Sequence, residues 1–193
     1  VNGPSLSEAA IRAALLRQPA APEKRNGLTC AAVLIPLLPV DGGWQVLFTR
    51  RTERVETHKG QVAFPGGACD PGDTDIFATA LRETHEEIGV PPDAVRLLGV
   101  MPAMPTLTGF LVTPVVGVMR WPTPLALQEH EVSRAFHVPL EWLLDPANRD
   151  TRLYTRSNGT SDMIIFFRPY DGETIWGVTG QIVVDFLTRI SAQ

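Results

Sequence analysis

The chain has 193 residues, 44% of them hydrophobic, with 21 acidic against 17 basic side chains and a formal net charge of −4. That length and apolar share suit a single globular domain over residues 1–193 with a sizeable core. The acidic balance argues against a sequence-independent nucleic-acid surface, which needs a basic stripe, and no apolar run approaches the roughly 20 residues needed to span a bilayer. The N-terminus shows no basic segment followed by an apolar stretch and cleavage site, so a cytoplasmic protein is expected, with Cys30 and Cys69 kept reduced.

In chain order, Ser5-Leu6-Ser7-Glu8 reads as a capping box opening an amphipathic helix through about Arg17. Residues 18–28, with Pro19 and Pro22, read as an exposed connection. Leu28 to Val40 is apolar enough for a buried strand. Asp41-Gly42-Gly43 turns it, and Trp44 to Arg51 returns as a hairpin partner. Arg50 and Arg51 fall at the strand end, where arginines either bind phosphate or solubilise a sheet edge.

Phe64-Pro65-Gly66-Gly67 follows: two residues without Cβ after a rigid proline, which lets backbone approach a ligand or metal. The next helix has Thr74 or Asp75 as N-cap and Gly89 as its left-handed stop, with Phe77, Leu81 and Ile88 toward a core. Glu83, Glu86 and Glu87 lie three and four residues apart, so their carboxylates share the other side of that helix. Like charges so placed repel, and a hard divalent cation such as magnesium or manganese turns that repulsion into attraction. A plain solvated helix face is the alternative reading.

Past the Pro91-Pro92 stop, Val95 to Ala103 and Phe110 to Met119 read as strands, the second with Pro114 marking an edge or bulge. A polar loop over 121–130 leads to Glu129-His130-Glu131. Val132 to Val138, Thr151 to Thr155 and Met163 to Phe167 read as further strands, with a turn of helix at Glu141 to Leu144 and a closing helix over Thr179 to Ile190. Strands interleaved with helices imply an α/β fold, a mixed sheet covered on both faces.

Gly67 and the run Arg82-Glu83-Thr84-His85-Glu86-Glu87-Ile88-Gly89-Val90 resemble the Nudix box of the Nudix hydrolase family. Asp73 stands at the first Glu position of that pattern, and eight residues rather than seven separate it from Arg82. Both departures are similar to the coenzyme A diphosphatase branch. Leu47, Thr49, Arg51, Gly60 and Phe64-Pro65-Gly66-Gly67 also match that branch's second signature, with Phe48 and Thr52 as mild substitutions and Glu56 where the signature has Arg. Thr108-Gly109-Phe110 with the valine-rich run after it, and the Trp176-Gly177 entry to the last helix, extend the likeness.

The resemblance implies a Nudix α/β/α sandwich and metal-dependent hydrolysis of a diphosphate. Its implied metal ligands are Glu83, Glu86, Glu87 and the Gly66 carbonyl, with Mg2+ or Mn2+ as cofactor. A late-loop carboxylate, Glu131 first and Glu129 second, or else Glu86, is the expected base, and Arg82 the residue that orients a glutamate. Substrate binding is assigned to Arg51, Arg50, Arg54, Lys59, Gly67 and Phe64, with phosphate falling to the basic side chains. Coenzyme A is the leading substrate; ADP-ribose, NADH or another nucleoside diphosphate derivative is the alternative, and a non-catalytic nucleotide sensor the third.

Overall fold

One long strand carries the architecture. β1 (Thr29–Val40) sends Ala31, Ile35 and Leu37 into one apolar core and Ala32, Leu34 and Leu38 into another, the period-2 alternation of a strand buried on both faces. The structure, a computed structural model, describes residues 6–17, 27–53, 60–155 and 159–192.

Asp41 (φ 49°) and Gly42 (φ 78°) make the tight turn into β2 (Gly43–Arg51), which pairs antiparallel with β1 from Leu37↔Val46 to Val40↔Gly43. Along its other edge β2 pairs with β8 (Val132–Pro139) from Gln45↔Pro139 to Arg51↔Val132, and beyond the β1 pairing it meets β3 (Val62–Ala63) at Thr49 and Arg50. On its other side β1 lies parallel to β7 (Phe110–Met119), which pairs antiparallel with β5 (Val95–Val100) and β6 (Met104–Pro105). β4 (Gly66–Ala68) runs antiparallel to the first half of β1. The mixed sheet therefore reads β3-β2-β1-β7-β5, and β9 (Arg149–Thr155) with β10 (Ser161–Phe167) forms a separate two-stranded ribbon.

Helix α2 (Ile76–Ile88) covers one face through Ile76, Ala80 and Ile88. The other face is covered by α1 (Glu8–Ala13), α3 (Leu140–Leu144) and α4 (Gly177–Ser191), which contribute Ile11, Leu143, Ile182 and Phe186. No helix among the described residues is long and apolar enough to cross a membrane.

Four sequence expectations change. Helix α1 is capped by Ser7, whose side chain accepts from the Ala10 N–H, and it ends at Ala13 instead of Arg17. Leu16 is drawn off to exchange both backbone hydrogen bonds with Val100, each 3.0 Å; Ser5 lies outside the described residues. The strand expected over Val95 to Ala103 stops at Val100.

Pro114 sits in a central strand, not at an edge. Its carbonyl accepts from the Met101 N–H at 2.9 Å, beyond the end of β5 and before β6, so the amide hydrogen that proline lacks falls where the neighbouring ladder is broken. Cys30 and Cys69, expected as thiols, form a disulfide. The Ala31↔Ala68 register between β1 and β4 brings their Cα atoms to 5.4 Å, within bridging distance.

Candidate active site

Helix α2 begins where the Asp75 side chain accepts from the Ala78 N–H at 2.8 Å and ends at Gly89, φ 72°. Its last carbonyls lack intrahelical partners. The loop ahead of β8 supplies them: Ala126 N–H donates to Ile88 O and Gln128 N–H to Glu87 O, both at 2.9 Å. The same loop is tied to the end of β2, since Thr52 donates its N–H to Glu131 O at 2.8 Å and its hydroxyl to His130 O at 2.7 Å. Satisfying the helix end thus carries Glu131 to the acidic face, where Glu83, Glu86, Glu87, Gln128 and Glu131 line a cavity of about 220 Å³.

The two glycines of the loop serve different contacts. A Cβ on Gly67 would stand 2.6 Å from the Glu83 carboxyl carbon, so the bare backbone is what lets that carboxylate lie flat against β4. At Gly66, φ 153°, a Cβ would meet Ala32 O at 2.4 Å and the Val33 Cα at 2.6 Å, which ties this position to packing on β1.

Arg82 organises the acids. Its Nε and one Nη bind Asp73 through two 3.0 Å bonds, a fork-on-carboxylate pairing that fixes the guanidinium plane. The Nη that binds Asp73 also donates to Ala68 O at 3.0 Å, and the other Nη reaches Glu83 at 2.8 Å and Glu86 at 3.0 Å. Asp73 also accepts from the Asp70 N–H and the Thr79 hydroxyl. Hydrogen bonding from Arg82 holds the Asp73 carboxyl down at about 2 and raises the Arg82 guanidinium. The shorter acid at longer spacing reaches its arginine because residues 70–73 fold into a compact turn, with Gly72 N–H donating to Asp70 Oδ1 and Asp73 N–H to Asp70 O.

Burial dominates the inner acids. It pushes the Glu83 carboxyl upward against the pull of Arg82, and it pushes Glu87 up to about 8, with Glu83 and Glu131 adding to the rise while Arg51 and the Gly66 backbone oppose it. Arg51 lies 3.7 Å from one Glu87 oxygen, and the other, Oε2, is buried with no hydrogen-bond partner among the described residues. A buried carboxylate with an unused oxygen, in a cavity lined by three further glutamates and Gln128, fits a hard divalent cation. As the side chains stand, no three Asp, Glu, His or Cys residues among those described are drawn together tightly enough to chelate an ion, because Glu83 and Glu86 are turned to the same Arg82 nitrogen.

The other expected residues divide. Arg50, Arg51 and Glu129 line a second cavity of about 520 Å³ with Thr52, Glu53 and Ser133, so Glu129 is set apart from the acidic cavity that Glu131 joins. Phe64, expected at the substrate, is 4% exposed and stacks on Phe48 at 4.8 Å; it supports the glycine loop from the core. Arg54 and Lys59 lie outside the described residues. Gln128 joins the cavity wall with no signal in the sequence: its N–H donates to Glu87 O, and its carbonyl accepts from the Glu131 and Val132 N–H groups.

A mixed sheet between helices, with a glycine loop and a glutamate-lined cavity on one helix, is the arrangement of a hydrolase of the Nudix type. The NUDIX domain family profile matches residues 28–157. The chain is 38% identical over 166 residues to a protein of Escherichia coli O7:K1 named uncharacterized Nudix hydrolase NudL, covering 84% of this chain and 83% of that one. It is 39% identical over 166 residues to the NudL protein of Salmonella paratyphi B, with the same coverage. Among solved structures, the Nudix hydrolase RenU of M. smegmatis superposes with a TM-score of 0.52 at 24% identity, over 61% of this chain and 74% of that one. The chain belongs to the Nudix hydrolase family, whose members generally need divalent metal ions and act on nucleoside diphosphate derivatives.

Proposed function

We propose that this protein is a diphosphatase of coenzyme A or its derivatives: water adds to one phosphorus of the diphosphate, the bridging P–O bond breaks, and the products are 4′-phosphopantetheine (or its acyl form) and adenosine 3′,5′-bisphosphate. The observation that carries this reading is Arg51, a residue of the second signature, standing between the glutamate cavity and the larger arginine-lined cavity. A substrate with its diphosphate at the first has room for one arm in the second.

Glu83, Glu86 and Glu87, with the Gly66 backbone beside them, would hold magnesium or manganese. Bound there, the ion supplies charge neutralisation at the phosphate oxygens and a more acidic water. Arg82 aims Glu83 and Glu86, Asp73 fixes Arg82, and Arg51 neutralises Glu87 on the side facing the larger cavity. Glu131 is the favoured base: it lines the cavity without an arginine partner among the described residues, whereas Glu86 is engaged by Arg82 and Glu129 faces the other cavity.

The second reading is a diphosphatase of ADP-ribose, NADH or another nucleoside diphosphate derivative. It draws on Glu56, where the coenzyme A signature has Arg, and on Glu53 and Glu129 in the wall of the larger cavity. Purified protein with magnesium or manganese should be assayed on coenzyme A, acetyl-coenzyme A, NADH and ADP-ribose, with products identified. Preferential cleavage of coenzyme A or its thioester is expected; preferential cleavage of ADP-ribose overturns the coenzyme A assignment.

A further inference from the structure

Arg50 and Arg134 are direct cross-strand partners on β2 and β8, a like-charge pairing that destabilises a sheet unless a counter-charge stands between them. That counter-charge is Glu173. Its side chain is 9% exposed and lies 3.7 Å from an Arg50 Nη and 3.3 Å from an Arg134 Nη. A tight turn delivers it: Tyr170 and Glu173 exchange backbone hydrogen bonds of 2.9 and 3.0 Å, with Asp171 (φ 50°) and Gly172 (φ 79°) at the bend.

The two arginines then differ. Arg134 is the more heavily engaged: it also binds the Asp171 carboxylate, donates to Asp171 O at 2.9 Å, and lies over the Phe136 ring at 5.4 Å. Arg50 keeps capacity. Its side chain is 42% exposed, its 3.7 Å contact with Glu173 is longer than a hydrogen bond, and its other ion pair is a 3.8 Å contact with Glu53, whose side chain is 71% exposed and screened by water. Arg50 lines the larger cavity beside Arg51, which reaches the glutamate cavity through Glu87.

We propose that Glu173 is a positioning residue for substrate. By neutralising the facing arginines it keeps the Arg50 guanidinium on the cavity wall, where it binds a phosphate ester other than the diphosphate being cleaved. The substrate class is then a nucleoside diphosphate derivative carrying a further phosphate, an inference that rests on the function proposed above.

The test is a double-mutant cycle read by calorimetric titration of adenosine 3′,5′-bisphosphate into the metal-free parent, Glu173→Gln, Arg50→Ala and the double variant. Each single change is expected to weaken the probe by about 10-fold, and the double variant to match Arg50→Ala within about twofold, the signature of two groups acting as one. With coenzyme A as substrate, Glu173→Gln is expected to raise KM by more than it lowers kcat, a split that simple loss of folded protein does not produce. The proposal is overturned if the parent does not bind the probe, if Arg50→Ala binds it as the parent does, or if Glu173→Gln adds its whole loss on top of Arg50→Ala. Should Glu173→Gln not fold, the Arg50→Ala titration decides alone, because that half-exposed side chain can be removed without emptying the core. A parent that binds the probe but hydrolyses no diphosphate overturns the proposed function and leaves the binding cycle to judge Glu173.

Discussion

Replacing Asp73 by Asn isolates the contact on which the acidic cluster depends. Asn keeps the shape, but its NH2 would face a guanidinium nitrogen, the Asp70 N–H and the Thr79 hydroxyl, all of which now donate to Asp73. The Asp73 carboxyl is lowered from 3.8 to about 2, chiefly by Arg82, and its side chain is 8% exposed. A depressed acid contributes stability above its unfolded value and loses it as pH falls through the folded one; a shift of this size corresponds to about 2 kcal/mol at neutral pH. Urea unfolding of the metal-free proteins should show the parent ahead of Asp73→Asn by about that amount at pH 7, with the gap closing between about pH 4 and pH 2. kcat should fall about 10-fold or more, because a loosened Arg82 no longer aims Glu83 and Glu86. Equal stability at pH 7, or a gap that persists unchanged at pH 2, would refute the reasoning.

Other changes separate the roles within the site. Gly67→Ala places a Cβ 2.6 Å from the Glu83 carboxylate and should lower kcat about 100-fold with little change in the thermal midpoint; full activity would show that Glu83 need not lie against β4. Glu87 is raised from 4.5 to about 8, so the metal-free protein should lose stability as pH rises through that window, by about 3 kcal/mol at pH 7, and Glu87→Gln should abolish the slope while removing activity. A slope unchanged in Glu87→Gln would place its source elsewhere. The Cys30–Cys69 disulfide closes a loop of 39 residues, and a dithiol reductant or the double serine variant should cost about 3–4 kcal/mol in urea unfolding; two reactive thiols in the denatured, unreduced protein would contradict the bridge.

What was legible in the sequence was local. Asp75 and Gly89 mark the box helix by the chemistry of its two ends, and the three glutamates declare their shared face by spacing alone. Gly67 reads as a place of close approach, though what approaches it, Glu83, does not. Asp73 stands out as a departure in type and spacing, yet its function depends on how residues 70–73 turn, a fact of three-dimensional geometry. Pro114 illustrates the limit from the other side: the rule that proline marks an edge is sound, but the break between β5 and β6 accommodates a residue without an N–H inside the sheet. Cys30 and Cys69 meet only because β4 pairs with β1, and nothing near either cysteine announces that pairing. For Glu173, the Asp171-Gly172 turn signal is visible in the sequence, whereas the two arginines that await the side chain come from strands 39 and more residues upstream.

Manganese titration followed by electron paramagnetic resonance, on the parent and on Glu87→Gln, tests the central claim most directly. The carboxylate cluster on α2 predicts saturable binding in the parent, with affinity falling at least about 10-fold in a variant that retains the parent's circular dichroism. Manganese bound equally by both proteins, or by neither, would contradict it.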